Sequence, residues 1–116
     1  MVVIEDNLLI LQSLRMLLEG WGYAVVAAAS GEEALALLGG CRRTPHVIVT
    51  DYRLPHGQTG LEAIRDIHDL YGVRIPAVVL TGETAPDRIA DILRHGCRLL
   101  SKPVSASALR EALAAT

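Results

Sequence analysis

The chain has 116 residues, 51% of them hydrophobic, two cysteines and a formal net charge of −2. That length suits one domain with a single core and little to spare. No uncharged apolar run is long enough to span a membrane, no basic block would draw nucleic acid, and the cysteines have no metal-ligand spacing.

Met1-Val2-Val3-Ile4 reads as a buried strand, and it stops in Glu5-Asp6. The two carboxylates, with no basic segment before them, argue against a signal peptide. Cys41 and Cys97 read as ordinary thiols of a reducing compartment, so the expected location is cytoplasmic. Asn7 can cap a helix with Leu11, Leu14, Leu17 and Leu18 on one stripe, stopped by Gly20 and Gly22, with Trp21 in its last turn. Tyr23 to Ala28 is a second strand. Ser30-Gly31-Glu32-Glu33 is a capping box opening a short helix that runs to Gly39-Gly40.

After a polar loop from Cys41 to Pro45, Val47-Ile48-Val49-Thr50 is a β-branched run suited to a strand covered on both faces. It ends in Asp51, expected just beyond the strand and facing solvent. Leu54-Pro55 then forbids further pairing. Thr59-Gly60-Leu61-Glu62 is a second capping box, and its helix turns Leu61, Ile64, Ile67 and Leu70 inward before Gly72. Ile75 to Leu80 is a fourth strand, with Pro76 at its start and Thr81-Gly82 at its end. Thr84-Ala85-Pro86-Asp87 is a third capping box, whose helix carries Ile89 and Leu93 and closes at His95-Gly96. Cys97 to Leu100 is a weaker fifth strand, followed by Ser101-Lys102-Pro103. Ser105 caps a last helix with Leu109, Ala112 and Leu113 on its apolar face.

Strands alternate with helices five times, and most strands are continuous apolar runs. The pattern predicts an α/β fold, a doubly wound five-stranded parallel sheet of order 2-1-3-4-5 with right-handed crossovers. Residues 1–116 read as one domain. The chain starts in a strand-like run and stops inside a helical pattern, which suggests a module within a longer protein.

In such a sheet, ligands bind beyond the carboxyl ends of the strands, at the switch point. Those ends deliver Glu5 and Asp6, Asp51, Thr81 and Lys102, across roughly 15 Å at about 4.8 Å per neighbouring strand. Singly, each has a plain structural use: helix-start carboxylates, a turn aspartate, a turn hydroxyl, a surface charge. Together, three crowded carboxylates repel one another unless a cation neutralises them, and a hard divalent ion, Mg²⁺ for choice, takes oxygen ligands. A metal, a lysine and a hydroxyl around a free carboxylate form a site for a phosphoryl group.

The motifs Val3-Ile4-Glu5-Asp6-Asn7, Asp51-Tyr52-Arg53-Leu54-Pro55, Thr81-Gly82 and Lys102-Pro103, in this order and spacing, resemble the receiver domain of two-component response regulators and hybrid sensor histidine kinases. The resemblance spans essentially the whole chain. It implies that Asp51 accepts a phosphoryl group from a phosphohistidine, and that Glu5, Asp6, Asp51 and the Arg53 backbone carbonyl hold Mg²⁺. Lys102 then contacts the phosphoryl group, Thr81 moves toward it, and Lys102-Pro103 is a cis peptide. The implied partner is a histidine kinase or phosphotransfer domain. The fourth helix, fifth strand and fifth helix form the output face, which also offers a homodimer surface. Any self-phosphorylation or dephosphorylation by the domain itself would be weak.

The sequence departs from the family pattern at three places. Leu99 stands where the family often has an aromatic switch residue, which favours a phosphate relay in a hybrid sensor kinase over a stand-alone or DNA-linked response regulator. The loop from Pro55 to Gly60 is one residue longer than the common pattern. Arg53 and Glu83 flank the site and are expected to pair across it, or else to remain two solvated side chains. His46, His56, His68 and His95 have no ligand spacing and read as surface residues. An aspartyl-nucleophile phosphatase would want a second acid two residues after Asp51, where Arg53 stands. A receiver-like module that is never phosphorylated would have no need of Glu5, Asp6, Asp51, Thr81 and Lys102. Nucleotide binding lacks either glycine-rich phosphate motif.

Overall fold

Mostly apolar, β-branched runs form the strands Val2–Ile4 (β1), Val26–Ala28 (β2), Ile48–Asp51 (β3), Ala77–Thr81 (β4) and Arg98–Ser101 (β5). The computed structural model describes residues 1–40, 43–82 and 85–116. Between the strands lie helices Leu8–Gly20 (α1), Gly31–Leu38 (α2), Gly60–Tyr71 (α3) and Pro86–Arg94 (α4), with Ala106–Ala114 (α5) last. The strands pair in parallel in the order β2-β1-β3-β4-β5. That is the doubly wound arrangement expected from the sequence, and it puts the ends of β1, β3, β4 and β5 side by side.

Strand alternation divides the core in two. Val2, Ile4, Ile48, Ala77 and Val79 face α2, α3 and α4, where Leu38, Ile64, Ile67 and Ile92 meet them. Val3, Val47, Val49, Val78 and Leu80 face α1 and α5, against Leu11, Leu18, Leu109 and Leu113. No helix among the described residues is long and apolar enough to cross a membrane.

The helix starts follow from local chemistry. Asn7 Oδ1 accepts from the Leu9 and Ile10 N–H groups at 3.1 Å each. Ser30 accepts from Glu33 N–H, and Thr59 and Glu62 form a reciprocal capping box. Three expectations change. The second strand begins only at Val26: the Tyr23 N–H donates to the Leu18 carbonyl at the end of α1 at 3.1 Å, and its ring stacks on His46. The N-cap of α4 is Ala85, without a side-chain bond, and Thr84 lies outside the described residues. In α4 the buried residue is Ile92, while Leu93 is exposed, as is Leu70 at the end of α3. His68 is not a free surface residue either: the Ile75 N–H donates to its Nε2 at 3.0 Å, joining α3 to the approach to β4.

Candidate functional site

Asp51 is the last residue of β3, not a residue beyond it, and it is 4% exposed rather than facing solvent. Its position comes from the ladder, since Asp51 pairs with Leu80 of β4. Beside it, β1 ends and Glu5 follows, only 2% exposed, while Asp6 is exposed. Carboxylate oxygens of Glu5, Asp6 and Asp51 all lie within 4.8 Å of one another. Thr81, 3% exposed, ends β4, and its carbonyl accepts from the Lys102 N–H at 2.9 Å. That bond continues the β4–β5 ladder and brings Lys102 over the rim. The Lys102-Pro103 peptide is cis.

Lys102 Nζ lies 2.5 Å from Asp51 Oδ1 and 3.7 Å from Glu5 Oε2. These are charge contacts by distance: both carboxylate oxygens are buried and lack a hydrogen-bond partner among the described residues. Glu5 Oε1, by contrast, accepts from the Asn7 N–H at 3.2 Å, so one oxygen supports the start of α1 and the other is left for the site. Burial, then the close approach and negative charge of Asp51, push the Glu5 carboxyl up to about 7. Burial disfavours the Lys102 ammonium, but the close contact with Asp51 and the charges of Asp51, Glu5 and Asp6 outweigh it and hold its pKa above the ordinary lysine value.

A cluster of three carboxylates, two of whose buried oxygens make no hydrogen bond, fits a hard divalent cation, which takes oxygen donors and relieves like-charge repulsion. The sequence therefore anticipated the gathering of Glu5, Asp6, Asp51, Thr81 and Lys102. A depression of about 310 Å³ opens here, lined by Asp51, Arg53, Thr81, Gly82 and Lys102 among others. Glu83 lies outside the described residues, so the expected Arg53–Glu83 pair does too. Leu99 is half-buried and packs on the core layer that holds Tyr52 and Ile92.

A larger groove of about 930 Å³ runs between α3 and α4, but none of the clustered carboxylates lines it. Its charges are largely used internally: Arg74 donates to the His95 carbonyl at 2.8 Å, and Asp91 faces Arg94 and His95 at 3.7 Å. Among the described residues, only Tyr52 lines both cavities.

Gly60 is a site residue that sequence reasoning took for an ordinary helix start. A Cβ there would overlap the Asp51 carbonyl, so only glycine allows α3 to begin against the backbone of Asp51. The only signal in the sequence was a glycine directly after a capping threonine.

The sequence profile of the response regulator receiver domain matches residues 1–114. The chain is 31% identical over 108 residues to the two-component response regulator ORR3 of Oryza sativa subsp. indica, covering 91% of this chain and 81% of that protein. A response regulator receiver domain protein from Clostridium thermocellum superposes with a TM-score of 0.85 at 30% identity, over 98% of this chain and 90% of the other. A response regulator from Burkholderia pseudomallei, whose structure contains a phosphorylated aspartic acid, a calcium ion and citrate, gives 0.80 at 31% identity, over 97% and 64%. With a parallel 2-1-3-4-5 sheet gathering acids and a lysine at one rim, and a profile match over nearly its whole length, the chain belongs to the response regulator receiver domain family.

Proposed function

We propose that this receiver domain accepts a phosphoryl group on Asp51 from a phosphohistidine carried by a histidine kinase or phosphotransfer domain. The observation that carries the reading is the contact of the Lys102 ammonium with Asp51 inside the Glu5–Asp6–Asp51 cluster, whose oxygens lie close enough together to share a cation. Glu5, Asp6, Asp51 and the Arg53 backbone carbonyl would hold Mg²⁺, which supplies neutralisation of the charge on the transferring group.

The chain's own residues do the rest. The carboxylate of Asp51 attacks phosphorus in line; its Oδ–P bond forms as the P–N bond of the donor imidazole breaks. Lys102 passes from the Asp51 carboxylate to a phosphoryl oxygen, and the Thr81 hydroxyl donates to another. The acyl phosphate brings close to two negative charges to the rim, which biases the loop after β4 inward and carries the signal to the α4–β5–α5 face. That face is also where a homodimer would form.

The parent architecture belongs to the same proposal. Leu99 and the Leu99–Val104 run favour a segment of a hybrid sensor histidine kinase in the cytoplasm. A stand-alone or DNA-linked response regulator is the rival, and the coding sequence on either side of residues 1–116 separates them. The chemistry is tested by incubating the protein with Mg²⁺ and a small acyl-phosphate donor and measuring intact mass. The expected outcome is one phosphoryl group gained by wild type, lost with chelator and absent in Asp51→Asn. Equal mass gain in Asp51→Asn would overturn the assignment.

A further inference from the structure

The loop before α3 has a defined structure. The segment from Asp51 to Gly60 folds back as a small antiparallel hairpin. The Leu54 N–H donates to the Gln58 carbonyl at 2.9 Å, Arg53 and Thr59 bridge, and the Gly60 N–H donates to the Tyr52 carbonyl at 2.6 Å. The tip, Pro55–Gly57, turns through left-handed backbone at His56 (φ 63°) and Gly57 (φ 75°), and both of these residues are exposed.

Gln58 connects this hairpin to the body. Its half-buried side chain lies against Gly31, the first residue of α2, where a Cβ would overlap the Gln58 amide. Its Nε2 also donates to Asp66 Oδ2 of α3 at 3.4 Å. One side chain therefore ties two helices to the hairpin whose backbone holds Asp51 at one end and Arg53 between.

We infer that Gln58 is a positioning residue of the phosphoryl-transfer site: wedged between Gly31 and Asp66, it fixes the hairpin and with it Arg53, whose backbone carbonyl would be a ligand of the cation. The inference rests on the receiver reading above. Its physical basis is that Asp51 is already set by the β3 ladder, whereas the Arg53 carbonyl depends on the hairpin, and Mg²⁺ tolerates little departure from octahedral geometry. Loosening the hairpin should weaken cation binding without removing the nucleophile.

The test is Mg²⁺ titration of the unphosphorylated protein by calorimetry, with circular dichroism and thermal melts to confirm folding. Gln58→Ala is expected to raise the Mg²⁺ dissociation constant about tenfold, the scale seen when groups supporting metal ligands are lost. Gln58→Glu, which puts a second carboxylate against Asp66, should do the same. In acyl-phosphate reactions the Mg²⁺ concentration for half-maximal rate should rise in step, while the rate at saturating Mg²⁺ stays within about twofold. Gly31→Ala should weaken binding by itself, because its Cβ displaces Gln58, yet add nothing to Gln58→Ala, where the space is already vacated.

Unchanged Mg²⁺ binding in Gln58→Ala overturns the inference, as does a Gly31→Ala effect that is undiminished in the Gln58→Ala background. Failure of the underlying reading looks different: wild type itself then binds no Mg²⁺ and gains no phosphoryl mass.

Discussion

Glu5 divides its carboxylate between the Asn7 amide and the buried flank of Asp51, and its pKa rises from 4.5 to about 7. The folded, cation-free protein therefore holds a proton across this interval that the unfolded chain has released. This group's contribution to stability is complete below about 4.5 and is lost as pH rises through about 7. In chelator, the melting temperature of wild type should fall between pH 5.5 and 8 by several degrees more than that of Glu5→Gln, which has no proton to lose. Equal pH dependence in thermal melts of the two proteins would contradict the burial described for Glu5. The sequence revealed that Glu5 and Asp51 meet, because each directly ends an apolar strand. It did not reveal their burial. Asp51 was expected in solvent, but its depth is set by the neighbouring β1 and β4 ladders and by Gly60 packing on its carbonyl, contacts that no local pattern encodes.

Among the helices α1–α5, α4 buries the fewest residues. Proline opens it without a side-chain cap, Ile92 is its one buried residue, and Arg74 anchors its end through the His95 carbonyl. Ile92→Ala should cost about 2–5 kcal/mol, as for a core isoleucine, while Leu93→Ser on the exposed side should stay within about 0.5 kcal/mol. Urea midpoints of the two variants check the contrast, and equal losses would refute the orientation of the helix. This was also the element misread from its pattern. Ile89, Ile92 and Leu93 are close enough around a helix for the apolar stripe to run from Ile89 to either of the others. The choice between them depends on how the helix settles on β5. The five strands and their order were legible because β-branched runs and turn residues act locally. The bracing of the Asp51–Gly60 hairpin was not, since Gln58 and Gly31 are far apart in the chain.

At the scale of the molecule, the sheet is a partition. Ile67 packs with the α2–α4 layer and Leu109 with the α1–α5 layer, and the two belong to separate apolar clusters. A cavity opened on one side has no shared neighbour through which to collapse the other. Ile67→Ala and Leu109→Ala should each cost about 2–5 kcal/mol, and their combined loss should equal the sum to within about 0.5 kcal/mol. Any larger discrepancy in equilibrium unfolding would mean that strain crosses the strands. A wall of this kind lets sequence drift proceed independently in each compartment, so one half of the interior can be rebuilt, by mutation or by design, without renegotiating the other.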